Sequence, residues 1–187
     1  MKKFLLTAAA MFAGVFAFAQ AQFAHVNFQE LVQLMPEADQ ARATIAASSK
    51  EASETYQTMV DEFNKKYADY EKNTSNWSAA TRKTKEDELT DLQKRIQQFS
   101  QSIQQELSEQ QDQLMAPIYK KAQDVVQELA KKAGCVYVFD RTSVLYVDEA
   151  QSKDLTAEAR TALGIPADRT MESLQAELQA QAQAQQQ

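Results

Sequence analysis

The sequence predicts a helix-dominated α+β fold, in which a long antiparallel coiled-coil hairpin arm stands on a small β body shared between subunits. Three observations support this prediction. The 187 residues include only three glycines, far fewer than a β-rich or doubly wound protein needs for its turns. Two long stretches repeat apolar residues at heptad spacing. Short β-branched and aromatic segments lie before and after these stretches.

The first residues have the pattern of a secretory signal peptide. Lys2 and Lys3 precede a run, Phe4–Ala19, that is apolar except for Thr7 and ends in the small-residue cleavage pattern Ala-Phe-Ala. The run is shorter than the roughly 20 residues that a membrane-spanning helix needs. We therefore predict a cleaved signal peptide over residues 1-19, with a cut after Ala21 as the alternative, and an exported mature protein.

The mature chain is acidic and lacks the residue patterns of an active site. Without Lys2 and Lys3, 18 Lys and Arg stand against 26 Asp and Glu, a net charge of −8. This balance argues against sequence-independent nucleic-acid binding, which needs cations at the phosphates. His25 is the single histidine and Cys135 the single cysteine. We therefore predict no catalytic residue, no cofactor and no metal site, which disfavours an exported hydrolase.

Two segments predict long helices that share a coiled-coil seam. The first runs from Glu37 to about Lys72 without Gly or Pro, and the second runs from about Ser78 to Ala133. Apolar residues recur at alternating steps of three and four, and the aromatic ones are expected to lie mostly in the core. The seam consists of Tyr56, Val60, Phe63, Tyr67, Leu89, Leu92, Ile96, Phe99 and Ile103.

Pro117 lies inside the second helical segment. A proline removes a helical hydrogen bond and bends the axis. The heptad spacing also stutters shortly before it, between Ile103 and Leu107, which should unwind the supercoil locally. Two interpretations stay open: a hinge that lets the arms splay, or a fixed bend that joins the arm to the body.

The break between the helical segments, at about residues 73-78, contains Trp77, the single tryptophan. So short a connection makes the two helices antiparallel neighbours. Ser78 is the expected N-cap of the second helix, with Ser75 as the alternative. Trp77 is expected to cover the end of the seam, and the alternative is contact with a binding partner or a lipid surface.

Apolar segments outside the hairpin predict a small sheet and two short helices. One strand precedes the hairpin, near Phe23, and "CVYVFD" and "SVLYVD" follow it, joined around Asp140–Ser143 as a β-hairpin. A short helix should end at Gly164, and an amphipathic helix should carry Met171, Leu174 and Leu178. The final "QAQAQAQQQ" is low complexity and is expected to be disordered.

Three short strands cannot bury a core alone, so we expect several copies of the chain to form one body. The predicted domains are a signal peptide over 1-19, a β body with flanking helix over 20-45 and 115-165, an arm over 46-114, and a Gln/Ala-rich tail over 166-187.

Several segments follow one another in a distinctive order: the signal peptide, "FAHVNFQELVQLMPEA", the heptad hairpin, "GCVYVFDRTSVLYVDEAQSKDLT" and "ALGI". Over about Phe23 to Ile165 this order resembles the OmpH/Skp family of periplasmic chaperones. The family's aromatic or apolar strand pair followed by Asp-Leu-Thr corresponds to Tyr146, Val147 and Asp154-Leu155-Thr156.

The resemblance implies a jellyfish-shaped homotrimer whose arms enclose a cavity. It also implies an ATP-independent holdase that binds unfolded outer-membrane β-barrel proteins in the periplasm. Two features depart from the family pattern. Familiar members can be strongly basic, with positive arms that attract clients, whereas this chain is acidic, and the tail beyond Pro166 extends past the shared region.

Client contacts in such a chaperone would be weak, numerous and replaceable. The candidates are apolar residues off the seam, on the thinly packed base or at the tip: Met59, Ile45 and Trp77. The expected partners are unfolded outer-membrane proteins and other copies of the chain, with peripheral contact between the tip and a membrane surface as a further candidate. The alternative function is a structural coiled-coil envelope spacer or adaptor, which would not suppress aggregation.

Overall fold

The computed structural model describes residues 22–184, so the signal peptide predicted over residues 1-19 lies outside the described residues. The elements are β1 (Gln22–Val26), α1 (Phe28–Leu34), α2 (Pro36–Asn73), α3 (Ala79–Ala133), β2 (Cys135–Asp140), β3 (Ser152–Asp154), α4 (Thr156–Ala162) and α5 (Met171–Ala184). The helix-dominated α+β class with long helices and a small sheet is confirmed. None of the helices in this part of the chain is both long and apolar enough to span a membrane.

The chain divides into two compact units. The hairpin unit comprises Gln33–Lys121, and the sheet unit comprises the described chain before and after that range. Both units draw on α3, because its last turns, from Ala122 onward, belong to the sheet unit.

In the hairpin unit α2 and α3 run antiparallel, as their spacing and short connection predict. As the residue number falls along α2, the number of its partner in α3 rises: Tyr70 bonds to Glu86, and Lys66 lies 3.5 Å from Glu88. Near the other end Lys121 pairs with Glu37. With 38 residues, α2 is about 57 Å long at 1.5 Å per residue.

Both predicted ends of α3 are confirmed. Ser78 is its N-cap, since the Ser78 hydroxyl accepts a 3.1 Å hydrogen bond from the backbone N–H of Thr81. Gly134 stops the helix with a φ of 68°, a left-handed conformation that glycine adopts without a Cβ clash. The helix continues through Pro117 without a break.

The sheet unit contains a three-stranded sheet in the order β2-β1-β3, and both outer strands run parallel to β1. The register shifts between Gln22 and Phe23, whose partners are Cys135 and Tyr137, so Val136 forms a bulge. The helix α4 ends at Gly164 with a φ of 70°, as predicted.

The predicted β-hairpin around Asp140–Ser143 is wrong. Asp140 accepts a 3.0 Å hydrogen bond from the Thr142 N–H and starts a 3₁₀ turn at Arg141–Ser143. The apolar run after it forms no strand, and β3 begins only at Ser152, where it pairs with the free edge of β1. The physical reason is that β2 and β3 both run parallel to β1. The chain between them must therefore cross the sheet, which a tight hairpin turn cannot do.

The low-complexity end is also more ordered than predicted, because α5 extends through Ala184. Thr170 and Ser173 exchange hydrogen bonds of 3.0 and 3.1 Å in a reciprocal cap at its start. Leu174 is buried and fixes the first turn on the unit. Alanine and glutamine then continue the helix, since both have favourable helix propensity.

Candidate functional site

One face of the sheet presents clustered aromatic side chains. Phe23 stacks on Tyr137 with ring centroids 6.3 Å apart, and Phe139 lies 6.4 Å from Phe23 and 6.2 Å from Tyr137. These rings are 41%, 60% and 45% exposed for Phe23, Tyr137 and Phe139. We call these three residues the aromatic sheet face. Rings this large rarely remain clustered and open to water on a finished surface.

The segment between β2 and β3 crosses this face and partly roofs a cavity of about 340 Å³. Val144, Tyr146 and Val147 line the cavity together with Phe23 and Phe139. Leu145 is fully exposed, and Tyr146 is 81% exposed. The crossing segment therefore covers only part of the aromatic sheet face and adds apolar surface of its own.

His25 is buried in the middle of the sheet and links β1 to β3. Its Nδ1 lies 2.9 Å from the Ser152 hydroxyl, and its Nε2 lies 3.8 Å from a carboxylate oxygen of Asp154. The second distance is too long for a hydrogen bond. The three residues therefore lack the continuous hydrogen bonding of a nucleophile–base–acid triad. Their polar contacts connect β1 to β3.

Asp154 is held ionised by its surroundings. Burial acts to raise the pKa of this carboxyl, but hydrogen bonds from Thr156, then the charges of His25 and Arg141, outweigh burial and lower it. The Thr156 N–H donates to Asp154 at 2.8 Å, and the Thr156 hydroxyl accepts from the Asn27 N–H at 3.1 Å. This network ties the start of α4 to the ends of β1 and β3.

The opposite face of the sheet packs on the last turns of α3 but leaves a groove of about 490 Å³. Val126 and Ala130 of α3 and Val136 and Val138 of β2 line it. Val136 is 57% exposed. Since β2 is an outer strand of the sheet, its backbone edge is available to a partner.

The coiled-coil seam of the hairpin unit is only partly closed. Leu92 is buried, while Val60, Phe63, Leu89, Ile96, Phe99 and Ile103 are half-buried. The expectation that the aromatic seam residues lie mostly in the core is wrong for Tyr56 and Tyr67, which are 41% and 46% exposed. Two helices cover only one stripe of each other, so large rings at the seam edge remain accessible.

Phe63 and Tyr67 nevertheless form a stacked pair, with centroids 6.1 Å apart. Glu71 lies beside the Tyr67 hydroxyl, and its negative charge and hydrogen bond raise the pKa of Tyr67. A carboxylate therefore lies beside the stacked rings on α2.

Trp77 lies half-buried at the turn of the hairpin. Its ring meets Tyr70 edge-on at 5.9 Å, and the Tyr70 hydroxyl donates a 2.6 Å hydrogen bond to Glu86 of α3. Trp77 therefore packs on the end of α2, and Tyr70 connects that contact to α3. This placement agrees with a side chain that covers the end of the seam.

An ion pair joins the two helices next to the turn. Lys66 of α2 lies 3.5 Å from Glu88 of α3, and Lys85 lies 3.1 Å from the same carboxylate. A hydrogen bond from Lys85, together with the charges of Lys85 and Lys66, lowers the pKa of Glu88. The Glu88 carboxylate is therefore paired with a lysine from each of the two helices.

The other predicted contact residues do not converge on one site. Ile45 and Met59 are half-buried on α2, and Pro117 is exposed on α3. Ile45 and Met59 are separated by about 21 Å of helix at 1.5 Å per residue. Near Pro117 the helices leave a cavity of about 350 Å³, which Ala41, Leu114 and Ile118 help to line.

The aromatic sheet face was missed as a candidate surface by sequence reasoning. The signal was present in "CVYVFD", which is apolar on both faces of the strand although the predicted sheet was too small to cover both. Tyr137 and Phe139 are spaced by two and must share one face. Alternation therefore could have marked this face as a surface that needs a partner.

The sequence matches the family described as Outer membrane protein (OmpH-like) over residues 22–163. No curated protein sequence matches the chain. A solved structure of an OmpH-like outer membrane chaperone from Caulobacter crescentus CB15 is similar in fold, with a TM-score of 0.68 and 15% identity, and the match covers 84% of this chain and 95% of that chain.

Proposed function

The chain belongs to the OmpH-like outer membrane protein family, and on that premise we propose that it is an ATP-independent periplasmic holdase for unfolded outer-membrane β-barrel proteins. The family match over residues 22–163 is the observation that supports this function most. It confirms the resemblance drawn from the order of segments in the sequence. In this proposal the N-terminal apolar run is the signal that exports the chain.

The hairpin unit supplies the contacts that a holdase needs. A client that must stay unfolded is held by many weak contacts, since one tight pocket would fix its conformation. Half-buried apolar side chains occur along the whole hairpin, from Ile45 through Met59 to Trp77. Their separation supports distributed binding, in which no single residue is essential.

The sheet unit is the proposed site of self-association into a homotrimer. Phe23, Tyr137 and Phe139 form an exposed cluster, and Leu145 and Tyr146 extend it. Burying one such side chain contributes roughly 1.5–3 kcal/mol. A three-stranded sheet with open edges gains this stabilisation when further copies cover the face.

The test is suppression of aggregation. An unfolded outer-membrane β-barrel protein is diluted from urea with and without the mature chain, in the absence of ATP, and light scattering is followed. The proposal expects scattering to fall as the chain approaches equimolar amounts with the client. Unchanged scattering from a correctly folded and assembled chain would contradict the holdase and favour a structural spacer.

Pro117 is the proposed hinge of the hairpin. Its missing N–H leaves a gap in the helical hydrogen bonding, and the cavity beside it provides room for bending. Replacing Pro117 with Ala should narrow the distribution of distances between spin labels placed near Trp77 on different copies. An unchanged distribution would favour a fixed bend.

A further inference from the structure

We propose that the middle of the hairpin unit selects positively charged segments of unfolded polypeptide, an inference that rests on the proposed holdase function. The hairpin middle is defined as residues 51–64 of α2 and residues 96–119 of α3. It combines open apolar surface, neutral amides and negative charge that is only partly compensated.

Charge is segregated along the hairpin unit. The hairpin middle contains seven Asp and Glu and no Lys or Arg, whereas residues 65–95 around the turn contain eight Lys and Arg against six Asp and Glu. All seven carboxylates of the hairpin middle are exposed. The hairpin middle therefore carries negative charge only, and Lys50, Lys65, Arg95 and Lys120 adjoin its four ends.

Two cations from outside the hairpin middle pair with its carboxylates. Lys50 lies 3.8 Å from Glu54, and Lys66 lies 3.7 Å from Glu62. Among the residues that the structure describes, Glu51, Glu106 and Asp112 have no ion-pair or hydrogen-bond partner. A cation brought by a client would thus meet carboxylates that are not already paired.

Apolar surface lies along the same stretch. Tyr56 is 41% exposed, and Val60, Phe63, Phe99 and Ile103 are half-buried. A client side chain can cover this surface without displacing a packed core residue. The gain is that of apolar burial, which does not depend on a particular sequence.

Glutamine amides complete the surface. Eight glutamines lie between Gln97 and Gln113, and seven of them are exposed. An amide both donates and accepts, so it can bond to the backbone of any extended chain. Apolar contacts and amides would accept clients of either sign, and the carboxylates alone provide discrimination.

Charge complementarity therefore identifies the occupant as an unfolded segment in which Lys or Arg lies beside aromatic or aliphatic residues. At physiological ionic strength, charges more than about 8 Å apart are largely screened. The sign of the hairpin middle therefore matters more to a bound segment than the net charge of the chain. An acidic segment of equal apolarity meets repulsion at the same place.

Two unfolded 30-residue probe peptides test this, with identical aromatic and aliphatic residues and either six Lys or six Glu at the same positions. Fluorescence anisotropy with the full mature chain measures both dissociation constants at 50 and 500 mM NaCl. We expect the Lys probe to bind about tenfold more tightly at low salt and the difference to shrink at high salt, since surface attraction is screened.

Matched variants locate the effect. The triple variant Glu51→Gln, Glu106→Gln, Asp112→Asn should reduce the preference for the Lys probe at least threefold. The control Glu128→Gln, Asp168→Asn, Glu172→Gln removes the same charge from exposed positions of the sheet unit and should leave the preference unchanged. Circular dichroism checks that both variants remain helical.

Three results would overturn the inference. Equal binding of both probes at low salt would overturn the charge preference while leaving the holdase function intact. Equal losses in both triple variants would place the selectivity in net charge and not in the hairpin middle. If neither probe binds, and light scattering shows no suppression, the holdase function fails together with the inference.

Discussion

The two units of this protein use exposed aromatic rings in different ways. In the sheet unit Phe23, Tyr137 and Phe139 are clustered, mutually packed and mounted on paired strands. In the hairpin unit Tyr56 and Tyr67 lie apart on one long helix, at the edge of a seam that is only partly closed. A rigid cluster would fit the permanent partner of the proposed assembly, whereas a spaced stripe would fit the many transient contacts of the proposed holdase.

Polar contacts show the same difference. His25, Ser152, Asp154 and Thr156 connect strands that are far apart in the sequence and fix the sheet. In the hairpin unit most ion pairs join residues three or four positions apart on one helix, where a pair contributes only about 0.2–0.5 kcal/mol. The polar contacts of the sheet unit therefore join distant parts of the chain, whereas most ion pairs of the hairpin unit are local to one helix.

The strongest test of this contrast is a cavity in the core of the sheet unit. Leu155 is completely buried, and its N–H donates to the His25 carbonyl at 2.9 Å. Leu155→Ala should lower the free energy of unfolding by about 2–5 kcal/mol, measured by urea denaturation. Leu178→Ala is the control, because Leu178 is 42% exposed and should cost much less. Similar costs for both would contradict the description of this core.

A second test introduces a charge into the aromatic sheet face. Tyr137→Lys should weaken self-association about a hundredfold or more, since a lysine would have to be desolvated among aromatic rings at the interface. Sedimentation equilibrium measures the effect. Tyr67→Lys makes the same change on the hairpin and should leave the assembly intact. Should both variants assemble like the parent chain, the aromatic sheet face is not the interface.

A third test concerns the turn of the hairpin. Trp77→Ala removes the edge-on contact with Tyr70 and should destabilise the hairpin unit by about 1 kcal/mol. Hydrogen exchange of the amides flanking residues 73–78 should become faster, while the sheet unit stays protected. Trp77→Phe keeps a ring and should recover part of the protection. Exchange that is unaffected by Trp77→Ala would mean that the ring does not stabilise the turn.

The smallest expected effect is the pH dependence of the ion pair between Glu37 and Lys121. A hydrogen bond from Lys121 lowers the pKa of Glu37 below its ordinary value of 4.5. A carboxyl with a lowered pKa in the folded state contributes stability above its unfolded pKa, and that stability is lost as the pH falls through the folded value. The contribution is at most about 1 kcal/mol for an exposed pair.

Glu37→Gln should therefore lower the melting temperature slightly at pH 7 and have no effect well below pH 4. The control is Glu51→Gln, because Glu51 has no ion pair among the described residues. A difference between parent and Glu37→Gln that persists in acid would assign the effect to packing.

Most of the hairpin unit could be predicted from the sequence, because its determinants are local. Heptad spacing in α2 and α3, the Ser78 cap and the Gly134 stop act between residues a few positions apart. The short connection at the turn then leaves an antiparallel neighbour as the only arrangement. What the pattern did not provide was the degree of closure at Tyr56 and Tyr67, which depends on how much of a ring one neighbouring helix can cover.

The sheet unit depended on tertiary structure. Strand propensity located β1 and β2, but it does not specify which edge a later strand joins. β3 pairs with β1 across more than a hundred residues, and the apolar "SVLYVD" crosses the sheet face where a strand was predicted. Likewise α5 extends through Ala184 because Leu174 and the reciprocal cap start the helix on a folded surface. Local pattern sets the elements of this protein, and long-range packing alone decides how its strands are ordered and which rings stay open.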